Sequence, residues 1–256
     1  MHCPICDLTD EHLWHTGNWW KCRSCRSVVR DSLPSEESLD GLYEESWQKP
    51  EACVAETGGT TSSLARTYAL RLTRSIGRKD LRGLRILDFG AGRGEFTAAL
   101  AEIGADVWAM DPYSASQLQG KGIRAVATVE NLPSDLDFDG VVSLDAVEHL
   151  ADCSESIKGV HKRIRRGGWI MIQTPNADGL LARKMRDQWR ECKKDGHLLL
   201  FTSRSLRRVL EHCGFRGCRR LSWWIAYGDS VLSNSVHYAL QLLRYDGNLR
   251  YLAWKA

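Results

Sequence analysis

The chain has 256 residues and a formal net charge of only +3, enough for one α/β domain of ordinary size plus a small appendage. It holds no apolar run of about eighteen residues and its first ten residues are polar, so we expect neither a membrane-spanning helix nor a signal peptide, and a cytoplasmic protein. Nine cysteines in such a chain indicate reduced thiols, some of them metal ligands. The charge is uneven: residues 1–60 carry −6, 61–157 carry −4 and 158–256 carry +13. The basic third suits an anionic substrate, nucleic acid or a membrane surface, or is a solvated face.

In chain order, Cys3-Pro4-Ile5-Cys6 and Cys22-Arg23-Ser24-Cys25 form two C-x2-C knuckles. Four thiolates at this spacing can close a tetrahedral site around Zn2+ in a zinc ribbon over residues 1–32. Four protein ligands leave no open position, so such a zinc is structural. Trp14, Trp19 and Trp20 supply the apolar filling of so small a module; stacking on bases is opposed by the acidic balance of the region. Residues 33–62 read as a connector, with a short helix from about Ser35 and a loop over Gly58–Ser63. Leu64, Tyr68, Leu72 and Ile76 recur every four residues and predict a helix over 64–76, capped by Ser62 or Ser63. That helix either packs on a sheet or forms a lid.

The most informative stretch is Ile86-Leu87-Asp88-Phe89-Gly90-Ala91-Gly92-Arg93-Gly94. A short apolar strand ends in an acid and three alternating glycines, and Glu95 onward reads as a helix. Strand, tight turn and helix start make a nucleotide-type site in an α/β sheet. The third glycine of a dinucleotide fingerprint would fall on Glu95, so that reading fails. A second strand over 105–110 ends at Asp111, about twenty residues past the turn, where an acid can bind both ribose hydroxyls or cap the following helix. A weak third strand spans 123–128 and a fourth 139–144. A helix follows over about 154–164, then an Arg166-Gly167-Gly168 turn and a fifth strand over 169–174. The alternation predicts a parallel, doubly wound, Rossmann-like sheet.

The sequences ILDFGAGRGEF, VWAMDPY, FDGVVSLDAVEHL and RRGGWIMIQTPN stand in the order of class I S-adenosylmethionine (SAM)-dependent methyltransferases, which this chain resembles. The N-terminal knuckles and GHLLLFTSRSLRRVLEHCGF resemble the type 11/12/23 subgroup, several of whose zinc-carrying members methylate sugars and other small intermediates. The resemblance implies a seven-stranded sheet whose last hairpin is antiparallel, with one of its strands in 217–227. It implies a SAM-binding domain over 63–228 and a C-terminal helical extension over 229–256. It also implies cofactor contacts from Asp88, Gly90, Gly92, Gly94, Asp111, Thr128, Val129 and Leu144. Two departures stand out. Thr128 and Val129 occupy the place where many relatives carry an acid for the adenine amino group, and Gly196 precedes His197 where zinc-carrying sugar methyltransferases have Glu.

Methyl transfer is an in-line displacement, so holding donor and nucleophile about 3 Å apart contributes most, and a general base helps where the nucleophile must lose a proton. His197 and His149 are the candidate bases, His197 with an imidazole expected near its ordinary pKa of about 6.5. Asp145, Glu148 and His149 resemble the acid-acid-His group that binds a divalent metal in quinone O-methyltransferases; the other reading is a helix start facing the cofactor. Trp189 and the run Arg183, Lys184, Arg186, Arg190, Lys193 and Lys194 occupy the place of a substrate cover able to hold a phosphate or carboxylate. Val231, Leu232, Val236, Ala239, Leu240 and Leu243 form an amphipathic helix for core packing or homodimerisation, less readily for a membrane surface. The favoured function is methylation of a small anionic acceptor such as a sugar or nucleotide-sugar. The rivals are a zinc-ribbon RNA methyltransferase and a non-catalytic SAM-binding protein.

Overall fold

A computed structural model describes residues 2–6, 12–32, 35, 37–38, 41, 61–225 and 230–256. Most of the expected connector therefore lies outside the described residues. No helix among them is long and apolar enough to cross a membrane.

Two sheets organise the chain. The larger contains β4 (Arg85–Phe89), β5 (Asp106–Met110), β6 (Ala125–Val126), β7 (Phe138–Leu144), β8 (Ile164–Pro175), β10 (Phe215–Arg220) and β11 (Asn248–Lys255), in the order β10-β11-β8-β7-β4-β5-β6. β4, β5, β6, β7 and β8 are parallel, while β11 runs antiparallel to both β8 and β10. Parallel strands covered on both faces read as nearly continuous apolar runs, and β7 is buried from Phe138 through Ser143. One face is covered by α1 (Thr61–Ser75) and α2 (Glu95–Glu102), through a cluster that includes Leu72, Leu84, Phe96 and Leu100. The other is covered by α4 (Cys153–Lys162) and α6 (Ser203–His212), through Ile157, Val160, Leu206 and Leu210. The short α3 (Ala115–Gly120) and α5 (Leu180–Met185) follow β5 and β8.

The smaller sheet joins β1 (His12–Thr16), β2 (Trp19–Cys22), β3 (Val28–Arg30) and β9 (Leu199–Leu200). Its fourth strand comes from the far part of the chain: Val28 pairs with Leu200 and Val29 with Leu199. The N-terminal module is thus built onto the α/β body rather than set apart from it. Cys3, Trp20, Cys22, Cys25 and Val29 share one apolar cluster with Leu199, Phe201 and Leu206. Trp19 packs instead with Trp189, Cys192 and Ala182, so it fills the junction and not only the module.

Several expectations change. α1 starts at Thr61, so Ser62 and Ser63 fall inside its first turn instead of capping it. The turn expected at Arg166-Gly167-Gly168 lies inside β8: Gly167 has φ 73 and the pairing with β7 slips between Phe138 and Gly140, so one strand runs through an irregularity. The C-terminal extension is helical only over α7 (Val231–Leu242), while Asn248–Lys255 is β11, hydrogen-bonded between β8 and β10. Core packing by α7 is also overturned: Asn234 and Gln241 are buried, whereas Val231, Leu232, Val236 and Leu242 are exposed. Gln241 turns inward because its side-chain carbonyl accepts from the Trp223 backbone N–H at 2.8 Å, and a buried amide needs such a partner.

Candidate active site

The Gly-rich turn connects β4 to α2 at the carboxyl ends of the parallel strands, where such sheets hold ligands. Gly90 and Gly92 serve different ends. A Cβ on Gly90 (φ +77) would meet the Ala146 Cβ at 2.3 Å, so this glycine lets the turn close on the segment after β7. A Cβ on Gly92 (φ +52) would meet nothing within 4 Å, so open space lies over that backbone. Asp111 holds the turn: one carboxylate oxygen accepts from Gly92 N at 3.0 Å, the other from Tyr113 N and Ser114 N, both at 3.0 Å. The capping and turn-holding roles therefore coexist, and the oxygen facing Gly92 keeps lone-pair capacity for a ligand hydroxyl. Asp88 is buried and accepts from Thr97 Oγ1 at 2.6 Å; burial pushes its carboxyl up to about 7, against the lowering effect of the Thr97 bond and with a further rise from Asp111. Gly94 begins α2. Thr128 and Val129 stand just beyond β6, Thr128 exposed and bonded to Asn131, and Leu144 ends β7.

The structure regroups the expected acid-acid-His cluster. Asp145 sits at φ 50, exposed, and accepts from Gln173 Nε2 at 2.8 Å. Glu148 points the other way, fully buried, where Oε2 accepts from Thr174 Oγ1 at 2.9 Å and Oε1 has no hydrogen-bond partner. Its companions are His149 and His197: donor atoms of Glu148, His149 and His197 all lie within 4.8 Å of one another, and the two imidazoles meet edge to face at 4.7 Å. Asp145 is not part of that group, so the expected Asp145–Glu148–His149 metal set is not what the fold assembles among the described residues.

Burial holds the Glu148 carboxyl well above the usual range, with the Asp145 charge adding to the rise. His197 is 2% exposed, and burial, aided by the neighbouring His149 and Lys194, pushes its imidazole down to about 3. The expected ordinary pKa is thus overturned: His197 is neutral, with its buried Nδ1 lacking a hydrogen-bond partner and 3.8 Å from Glu191. His149 is half-buried, its pKa lowered chiefly by burial. Its Nδ1 lies 2.8 Å from Gly196 O; a carbonyl only accepts, so Nδ1 carries the proton and Nε2 the basic lone pair.

Gln173, Thr174, Glu191 and Arg250 belong to this neighbourhood and were not singled out from the sequence. Buried Arg250 donates to Gln173 Oε1 at 2.6 Å and lies over the rings of Tyr68 and Trp223. Polar Gln173-Thr174 at the end of an apolar strand was the available signal. The expected substrate cover is only partly cationic toward a ligand, because Arg190 and Lys194 both bond Glu191.

At the other end of the small sheet, the Sγ atoms of Cys3, Cys6, Cys22 and Cys25 lie within 4.8 Å of one another, with Cys3–Cys25 at 3.4 Å and Cys6–Cys22 at 3.6 Å. Tetrahedral thiolates at 2.3 Å from Zn2+ stand about 3.8 Å apart, so the donor set fits that ion.

A methyltransferase domain family matches residues 62–218. The ubiquinone biosynthesis O-methyltransferase of Rhizobium etli is 32% identical over 108 residues, 38% of this chain and 44% of that protein. The enzyme of the same name from Xanthomonas oryzae is 28% identical over 132 residues, 47% of this chain and 55% of that protein. The chain thus spans about half the length of the curated relatives it matches. A SAM-dependent methyltransferase of Thermotoga maritima superposes with a TM-score of 0.59 at 15% identity, covering 85% of this chain and all of that one. The 1,6-didemethyltoxoflavin-N1-methyltransferase of Burkholderia thailandensis, solved with S-adenosylhomocysteine, superposes at 0.57 with 19% identity, covering 91% and 97%. These structures show the fold: a class I methyltransferase sheet. The chain belongs to the methyltransferase domain family.

Proposed function

We propose that the chain methylates an oxygen of a small, anionic biosynthetic intermediate, such as a sugar or nucleotide-linked sugar, with His149 as general base. The observation that carries this is the buried Glu148–His149–His197 group, which sits just past β7, beside the Gly90–Ala146 contact. The partial relatives, named as O-methyltransferases, support oxygen as the acceptor atom. SAM supplies an electrophilic methyl on a sulfonium. Gly92 offers bare backbone on which the cofactor can lie, and Asp111 accepts its ribose hydroxyls. Asp88, Gly90 and Gly94 hold the turn, with Thr128, Val129 and Leu144 on the adenine side.

His149 takes the acceptor proton at Nε2. His197, neutral and packed edge-on, takes the role of orienting His149 in place of the catalytic one expected from the sequence. Cys3, Cys6, Cys22 and Cys25 hold a structural Zn2+. The test is transfer of isotopically labelled methyl from SAM to hydroxylated acids and phosphorylated sugars, with His149→Ala beside wild type. Loss of about 10²–10⁴ in turnover with SAM affinity intact is expected. Turnover within a few-fold of wild type would place the base elsewhere.

A further inference from the structure

Four non-glycine residues among those described have positive φ: Arg26 (69°), Asp145 (50°), Arg186 (52°) and Arg244 (65°). Asp145 lies at the site above. The other three are all arginines and all exposed. A long side chain in this region is unfavourable, and such strain persists where the surrounding structure imposes it, often at ligand clamps. The three come from distant parts of the chain, yet all line one trough.

The trough consists of two adjoining cavities of about 500 Å³ each. Arg204 lines both. One holds Arg207, Arg208 and Arg244 beside α6; the other holds Arg26 and Arg186 beside the N-terminal hairpin. Among the described residues only two acids line it, Asp178 and Glu211, and Asp178 is engaged by Lys21 at 2.8 Å. Arg26, Arg186, Arg204 and Arg244 have no side-chain hydrogen bond or ion pair among the described residues. Like charges gathered on strained backbone raise the energy of the free protein, and an anion placed among them lowers it. Guanidinium forks match phosphoryl oxygens in pairs. Two cavities joined at Arg204 call for more than one phosphoryl group.

We propose that this trough binds a small ligand carrying two or more closely spaced phosphoryl groups, such as a diphosphate ester. Two cavities of about 500 Å³ each suit a compact ligand better than a long polyanion. The trough floor at Ala177 and Asp178 begins two residues past β8, whose Thr174 bonds Glu148. A ligand anchored there lies past the strand whose Thr174 bonds the buried acid–imidazole group. That the ligand is the methyl acceptor rests on the proposed function; the site itself does not.

The experiment is calorimetric titration of the full chain with inorganic pyrophosphate at low salt, with a single-stranded oligonucleotide as a second arm. Saturable pyrophosphate binding is expected, weakened roughly tenfold or more by Arg204→Ala, since a charge-assisted contact is lost. Arg26→Gly, which relieves the backbone while removing the guanidinium, should weaken it while leaving the thermal midpoint unchanged or raised. Absent pyrophosphate binding, or binding indifferent to both substitutions, overturns the proposal. Tighter binding of the oligonucleotide with a steep salt slope also overturns it, in favour of a nucleic-acid surface. None of these readouts needs methyl transfer, so failure of the acceptor reading would show separately, as pyrophosphate binding without activity.

Discussion

Gly90 and Gly92 are two residues apart and sequence reading treats them alike, but they should respond differently to substitution. Gly90→Ala places a Cβ 2.3 Å from that of Ala146 and forces the turn away from β7. Gly92→Ala meets nothing and bears only the cost of positive φ, about 1–2 kcal/mol. Thermal unfolding of the two variants should show the larger loss at Gly90. The buried acid and imidazole give opposite pH signatures. Glu148 has a raised folded pKa, so its favourable contribution is complete below the unfolded value of about 4.3 and is lost as pH rises toward the folded pKa. Glu148→Gln should therefore become more stable relative to wild type as pH rises from 5 to 8, measured by denaturant midpoint; a constant difference would contradict the assigned protonation. His149 and His197 have lowered folded pKa values, so their contribution is present above about 6.5 and lost as pH falls below it. With His149 as the proposed base, the acid limb of turnover should likewise lie below about 6.5. The residues of this centre were nameable from the sequence, but the grouping was not. His197 and Glu148 are far apart in the chain, and the fold brings them together, as in the backbone bond from Leu198 N to Glu148 O at 2.9 Å.

At the scale of elements, the N-terminal hairpin acts on the candidate site through a two-residue strand. β3 pairs with β9, Arg30 N donates to Leu198 O at 3.1 Å, the Arg30 guanidinium donates to His197 O at 3.3 Å and to Asp195 O, and Thr202 Oγ1 donates to Cys25 O at 3.3 Å. The cysteine cluster fixes the far end of that hairpin. Chelation of the proposed Zn2+, or Cys22→Ser, should raise hydrogen exchange at Leu199 and Leu200 together with residues 19–30, because metal binding and local folding are coupled. Exchange confined to residues 2–30 would show that the hairpin does not restrain the His197 segment. β9 is too short to have a pattern of its own, which is why the sequence showed the knuckles but not what they pair with. β11 was missed for another reason. Its apolar core, Tyr251-Leu252-Ala253, is flanked by Arg250 and Lys255 and follows a clear helical period, while the strand's burial comes from lying between β8 and β10. By contrast, β4, β5 and β7 were legible because a strand buried on both faces must be apolar throughout.

Over the whole molecule, one sheet carries two kinds of opening at its carboxyl edge. The Gly-rich turn faces one, and the arginine trough lies past the end of β8. The +13 of the last third was visible in composition, yet its use was not. Arg190 and Lys194 in the expected cationic run are spent on Glu191, while Arg26, from the acidic N-terminal part, completes the trough. The central claim is that the open backbone at Gly92 is the seat of SAM. The most direct measurement is calorimetric titration of wild type and Gly92→Trp with S-adenosylhomocysteine, alongside NAD. The account predicts saturable binding of about one S-adenosylhomocysteine per chain in wild type and none in the folded variant. Equal affinity in the variant, or tight NAD binding with no S-adenosylhomocysteine binding, would contradict it.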